Sequence, residues 1–230
     1  MNIFEQHEMF EMEVLEHLKK ERLLDHLVFG GGSMLRLCHE LPRYSIDLDF
    51  WRIKKIEPDK LFDRLQQFLA DKYEITDAQI KHYSLLFEIR SAQFPKRLKI
   101  EIRKKIEQWD LQEKIAYSKF GTKQVILKSH TLNQTMQNKI NAILKRREIR
   151  DGFDIEFLIR QGIKLPNLST AEVTELLDLI KSFKINDFKV TLGSVLDADL
   201  RTYYTENQFQ ILEHKLKEIK NKNFFDALAH

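Results

Sequence analysis

The sequence predicts an α+β protein, with a mixed-sheet core over about residues 1 to 130 and a helical domain over 131 to 230. Three observations carry that expectation. Apolar periods of two and of 3.6 alternate through the first part. From Leu132 onward only the helical period persists. Between an apolar run and a helical pattern stand Gly30, Gly31 and Gly32, which mark a strand-turn-helix passage.

Taken in order, Phe4, Phe10, Val14, Leu15, Leu18 and Leu23 recur at helical spacing, and "LVF" at 27 to 29 then enters as a short strand that the glycines cut off. Ser33 is placed to cap a helix from Met34 to about Glu40, which Pro42 closes. "SIDLDFW" reads as the next strand. A helix over 58 to 71 starts at Pro58 and puts Leu61, Phe62, Leu65, Phe68 and Leu69 on one face. "HYSLLFEIRS" (82 to 91) and "RLKIEIRK" (97 to 104) read as strands, the second alternating Leu98, Ile100 and Ile102 with Lys99, Glu101 and Arg103. "KQVIL" (123 to 127) adds one more. Helices are predicted at 132 to 147, 151 to 162, 169 to 184 and 205 to 220, with a weak segment at 185 to 200.

At 230 residues and 43% hydrophobic, the chain can bury a sizeable core, and with 7 glycines and 4 prolines its domain boundary must be a short connection. Basic residues number 38 against 35 acidic, so the excess of +3 announces no nucleic-acid binder by charge alone. Cys38 stands alone, which excludes an intramolecular disulfide and a cysteine-cluster metal site. No stretch approaches the ~18 apolar residues of a membrane span, and the N-terminus lacks the pattern of a secretory signal, so the expectation is a soluble, cytoplasmic protein without membrane partners. "HEMFE" at 7 to 11 begins like a zinc-protease helix, but Glu11 stands where the second histidine is needed. "KRREIR" (145 to 150) can bind RNA phosphates, although a solvated helix face is the commoner meaning of such a run.

The chemistry concentrates in the second strand. Side chains two residues apart in a strand share a face, so Asp47 and Asp49 point one way and Ile46, Leu48 and Phe50 the other. Their repulsion is relieved by protonation, by a basic partner or by a divalent cation, and Mg²⁺ suits a site of few carboxylates because it keeps waters and substrate phosphates in its shell. A solvated strand face is the plainer reading of the pair alone. The glycine turn upstream, however, opens a helix whose first N–H groups form an anion site fit for phosphates. It is no P-loop, since no lysine follows at the required position, nor a dinucleotide fingerprint, since position 35 is leucine.

Gly32-Ser33, thirteen intervening residues and Asp47-Leu48-Asp49 together resemble the Gly-Gly/Ser and Asp-x-Asp pattern of the DNA polymerase β-like nucleotidyltransferases. That resemblance implies a polymerase β-like core and a third carboxylate on a neighbouring strand. "KIEIR" offers Glu101, where the family more often has aspartate; an ordinary surface glutamate between Lys99 and Arg103 is the open alternative. In "NKINAILKRREIRDGFDIEFLI" (138 to 159), Lys139, Ala142 and Arg146 share a helix face and Asp151 and Asp154 open the next helix. Alone, this reads as a basic face followed by acids that complement a helix dipole. With "FGGGSML" and "RYSIDLDF", it resembles the AbiEii/AbiGii toxin family of nucleotidyltransferases over most of residues 27 to 160.

The family resemblance implies Mg²⁺ on Asp47, Asp49 and Glu101. It puts nucleotide phosphates on Gly31, Gly32 and Ser33, with Lys139 and Arg146 also nucleotide-binding and Arg43 holding either the phosphates or the acceptor. Lys139 and Asp151 complete the active site, and the helical domain closes over the nucleotide. The implied reaction moves NMP from an NTP to an acceptor, tRNA or another macromolecule, in the toxin of a toxin–antitoxin pair related to phage defence. Two alternatives stay open: an antibiotic-type enzyme acting on a small molecule, and a catalytically inactive fold that only binds a partner. Retention of both Asp47 and Asp49 speaks against the second.

Overall fold

A capping box fixes the start of the first helix: the Asn2 side chain accepts from the Glu5 N–H while Glu5 reaches back to the Asn2 N–H, and α1 runs Ile3–Lys20. The computed structural model describes residues 1–228 and falls into two units, Met1–Thr131 and Leu132–His230. In the first, α1 and a single 3₁₀ turn lead to β1 (Leu27–Gly30), α2 (Gly31–His39), β2 (Asp47–Arg52) and α3 (Pro58–Lys72). Five strands follow: β3 (Glu74–Ile80), β4 (Ser84–Arg90), β5 (Leu98–Arg103), β6 (Leu111–Tyr117) and β7 (Gln124–His130).

The seven strands form one mixed sheet in the order β3-β4-β5-β2-β1-β7-β6. β2 runs parallel to β5 and β1 parallel to β7, while the remaining pairs are antiparallel. One sheet face is apolar. Leu48, Ile100 and Ile102 are fully buried on it, and the rings of Phe29 and Phe50 lie 5.3 Å apart. Burying each such side chain stabilises the fold by about 1.5–3 kcal/mol. The other face of β2 carries Asp47, Asp49 and Trp51, paired in register with Lys99, Glu101 and Arg103 of β5. The apolar alternation of both strands therefore fixes which way the carboxylates point.

Three features of the first unit depart from the sequence expectation, and in the second the helix expected over 205 to 220 is broken at Gln208, between Ala198–Asn207 and Gln210–Leu228. β3 and β6 were not expected. They are the two edges of the sheet, and their outward residues leave little apolar alternation to read. The second strand begins at Asp47, not Ser45. And Ser33 is not a helix cap: α2 already starts at Gly31 with Gly30 in the cap position and no side-chain cap bond, so Ser33 lies within the first turn.

The second unit is helical: α4 (Leu132–Arg146), α5 (Ile149–Arg160), α6 (Thr170–Ser182), α7 (Ala198–Asn207) and α8 (Gln210–Leu228). The weak segment before α7 is a π-helical turn, Asp187–Leu192, running into a short 3₁₀ turn, Gly193–Val195. Arg147, at φ 55°, turns the chain sharply between α4 and α5. Phe153, Ile155, Leu158, Phe188, Leu212 and Leu216 are buried in this unit, and the buried Glu156 accepts the Leu212 N–H at 3.0 Å near the start of α8.

Candidate active site

Gly31 adopts φ +73°, and a Cβ there would overlap the Asp49 carboxylate. At Gly32 a Cβ would lie 2.6 Å from the Arg43 guanidinium and 2.7 Å from the Ser45 hydroxyl. Absent side chains thus let Asp49 and Arg43 close on the start of α2. Gly31, Gly32 and Ser33 occupy its first turn, where N–H groups have no intrahelical acceptor and the helix dipole favours negative charge. Arg43 is buried and donates from Nη1 to the Tyr44 carbonyl at 3.0 Å. The Ser33 hydroxyl points inward, 2.6 Å from the Asp47 carbonyl and 3.0 Å from Glu11, so toward a ligand Ser33 offers its N–H and not its hydroxyl.

Across the β2–β5 pairing, Asp47 stands beside Lys99 and Asp49 beside Glu101. Lys99 Nζ lies 3.0 Å from the Asp47 carboxylate, and Arg103 Nη1 lies 2.7 Å from that of Glu101. Burial alone would lower the lysine's pKa, but Asp47 first, then Asp49 and Glu101, hold it above the ordinary value. Among the described residues, no three acidic or histidine side chains converge closely enough to hold an ion unaided. The donors still fit Mg²⁺ chemically. Asp47, Asp49 and Glu101 supply hard oxygens on one face, and phosphate and water can complete a partial shell.

Beneath the site, three polar side chains of α1 reach α2 and the segment that enters β2. His7 Nε2 donates to the Ile46 carbonyl at 3.0 Å, Glu11 meets Ser33, and Glu8 pairs with Arg36 at 2.8 Å. Arg36 also donates to the Leu41 carbonyl and lies over the Tyr44 ring, on which Phe4 stacks.

The second unit holds a separate cluster. Lys139 Nζ sits between Asp151 at 3.0 Å and Asp154 at 2.6 Å, and Arg146 forks onto Asp151 at 2.6 and 2.7 Å. Both aspartates are fully buried, and two cations neutralise them, Lys139 from within the core and Arg146 from a half-exposed position. Burial would raise the Asp151 pKa, yet Lys139 and Arg146 hold it below the usual carboxylate range.

The family model described as "Nucleotidyl transferase AbiEii toxin, Type IV TA system" matches residues 13–229. The chain belongs to the AbiEii nucleotidyltransferase toxin family. Two solved structures share its fold at 21% identity, each covering 96% of this chain and 97% of its own. One is a putative nucleotidyltransferase from H. pylori, with a TM-score of 0.58, and the other is JHP933 from Helicobacter pylori, at 0.55. MenT4, a nucleotidyltransferase toxin from Mycobacterium tuberculosis H37Rv, is more distant, with 13% identity, a TM-score of 0.46 and coverage of 93% of this chain and 94% of its own. No curated protein is significantly similar in sequence.

The site residues named from sequence therefore gather in two places within this AbiEii family chain. Gly31, Gly32, Ser33, Arg43, Asp47, Asp49 and Glu101 cluster in the first unit. Lys139, Arg146 and Asp151 cluster with Asp154 in the second. Sequence reasoning missed His7, Glu8 and Glu11, whose one available signal was three polar residues inside the inward stripe of α1. Among the described residues, no helix is long and apolar enough to cross a membrane.

Proposed function

We propose that the chain is an Mg²⁺-dependent nucleotidyltransferase toxin that moves NMP from an NTP to a hydroxyl of tRNA or another macromolecule. One observation carries the reading: the Asp49 carboxylate rests on Gly31 at the first turn of α2 and stands in register with Glu101. Carboxylates and helix-start amides so juxtaposed suit a metal-bound triphosphate. Asp47, Asp49 and Glu101 would hold the ion, and the N–H groups of Gly31, Gly32 and Ser33 would take phosphate oxygens. Arg43 keeps its guanidinium against Gly32, close to where those phosphates would lie. Mg²⁺, when bound, supplies charge stabilisation at the attacking and leaving oxygens of an in-line displacement.

In the displacement, the acceptor oxygen bonds to the α-phosphorus, the bond to the bridging oxygen of the β-phosphate breaks, and pyrophosphate leaves. The hydroxyl proton passes to a carboxylate, for which Glu101 is the candidate on this face. Lys139, Arg146 and Asp151 enter through the family resemblance: Lys139 to offset triphosphate charge, Arg146 to bind nucleotide and Asp151 to hold Lys139, which it contacts at 3.0 Å. An antitoxin partner, a part in phage defence and a cytoplasmic setting follow from the family as parts of the same proposal.

The test incubates the protein with each labelled NTP, Mg²⁺ and either total tRNA or a panel of small hydroxylated acceptors. Label should reach RNA with the native chain and not with Asp49→Ala. Label in a small molecule alone would make this an antibiotic-type enzyme, and no label anywhere would leave a binding protein.

A further inference from the structure

α1 buries more than its apolar stripe. Beside Phe10, Val14, Leu15 and Leu18 it carries His7, Glu8 and Glu11 inward at 0%, 4% and 0% exposure. Packing alone calls for none of these, and a buried carboxyl is costly unless neutral or well bonded. Glu8 has its charge partner in Arg36. His7 and Glu11 instead lead to two successive backbone carbonyls, those of Ile46 and Asp47, where the chain enters the strand of the aspartates.

Counting hydrogens assigns the protons. A backbone carbonyl only accepts, so His7 Nε2 carries the hydrogen it gives to Ile46. Ser33 has one hydroxyl hydrogen and two oxygen neighbours, the Asp47 carbonyl at 2.6 Å and Glu11 Oε1 at 3.0 Å. The shorter contact takes that hydrogen, so Ser33 donates to the Asp47 carbonyl, and the 3.0 Å contact is a hydrogen bond only with Glu11 protonated and donating to the Ser33 oxygen. Glu11 is therefore a neutral acid, in keeping with the burial that pushes its pKa well above the usual carboxylate value. Glu11 Oε2 and His7 Nδ1 are buried with no hydrogen-bond partner, a cost of about 1–3 kcal/mol for each such group. Each residue makes one hydrogen bond, and His7 Nε2 lies 4.0 Å from Glu11 Oε1.

We infer that His7, Glu11 and Ser33 are positioning residues that lock the peptide planes on either side of Asp47 and so aim the Asp47 and Asp49 carboxylates. The inference rests on the metal-site reading above and adds what holds that site in shape. Fixing two carbonyls fixes two planar peptide units, and strand alternation carries the orientation from Asp47 on to Asp49. A neutral Glu11 does so without setting another negative charge behind the two aspartates.

Titrating Mn²⁺ into the full chain at a fixed concentration of a non-hydrolysable NTP analogue, read by water-proton relaxation of the ternary complex, tests this. Glu11→Leu and His7→Leu should each weaken binding about tenfold, the scale for groups that orient metal ligands, while Glu11→Gln, which keeps a neutral donor, stays within about twofold. Folded leucine variants that bind Mn²⁺ like the native chain would reduce the network to packing. Glu11→Gln as damaging as Glu11→Leu would show that a charge, not a donor, is needed, and the inference would fall. Should the leucine variants not fold, infrared spectra of the native chain decide. A protonated-carboxyl carbonyl band at neutral pH that vanishes in Glu11→Gln supports the inference, and its absence defeats it. A native chain that binds no Mn²⁺ and transfers no nucleotide refutes instead the metal-site reading itself.

Discussion

Asp47 in the first unit and Asp151 in the second each meet a lysine at 3.0 Å, but their surroundings differ. The Asp47 and Lys99 side chains are 34% and 37% exposed, whereas Asp151 and Lys139 are 0% and 8%. A pair as open as the first is worth about 0–1 kcal/mol. The closed pair has no water to fall back on, and Arg146 and Asp154 bind it further. The same two residue types thus build an open pair in one unit and a closed one in the other. Solvent access, not residue identity, separates the two.

The largest effect is expected where the closed pair is broken. Asp151→Ala leaves Lys139 with one acidic partner and Arg146 without its fork, so unfolding free energy should fall by about 3–5 kcal/mol in a denaturant titration. A loss below about 1 kcal/mol would erase the contrast between the two clusters. Next comes Asp49→Ala, which should reduce nucleotide transfer about a hundredfold, equivalent to about 2.7 kcal/mol of barrier, with the melting temperature nearly unchanged. Melting that falls as far as activity would mark Asp49 as structural too.

Acid should separate the two units. His39 and His130 in the first unit are pushed down to about 4, chiefly by burial, against ~6.5 when unfolded. Above that unfolded value both states are neutral and the histidines cost nothing. As pH falls from ~6.5 to about 4, the unfolded chain gains protons at His39 and His130 that the folded chain refuses, and the first unit loses that stability, less what Glu11, already protonated when folded, returns over the same range. Asp151 has its folded pKa below the unfolded ~3.9, so its contribution is intact above that value and is lost only as pH falls further, through the folded pKa. Both tryptophans, Trp51 and Trp109, lie in the first unit, so their fluorescence should report unfolding at a higher pH than helical circular dichroism does. Coincident transitions would remove the distinction.

What the sequence disclosed follows the same division. Asp47 and Asp49 were legible because a period of two in β2 admits only one arrangement, with apolar neighbours in and carboxylates out. Lys139 and Arg146 were legible as one helix face through their spacing, and Asp151 only through the family resemblance, but their mutual bonding depends on the turn at Arg147, which no periodicity announces. The pairing of Asp47 with Lys99 needs the register of two parallel strands far apart in the chain, and register is a tertiary property. Ser33 misled because serine commonly caps helices, whereas here Gly30 takes that place and frees the hydroxyl for Asp47. His7 and Glu11 stayed hidden because they break the rule that inward helix positions are apolar.

The smallest expected effect is the most specific. Lys99 faces Asp47 directly and Asp49 and Glu101 at longer range, all three of them proposed metal ligands. A divalent ion arriving at Asp47 must displace the lysine, so the free energy of the pair opposes metal binding. Lys99→Met keeps the side-chain bulk and removes that competition. Since an exposed pair is worth at most about 1 kcal/mol, the gain in Mn²⁺ affinity should be about two- to fivefold. Such a gain is opposite in sign to the losses expected from Glu11→Leu and His7→Leu, so general loosening of the fold cannot imitate it. Unchanged affinity in a well-folded Lys99→Met chain would mean that Asp47 is not a ligand, and the open pair would then be an ordinary surface contact.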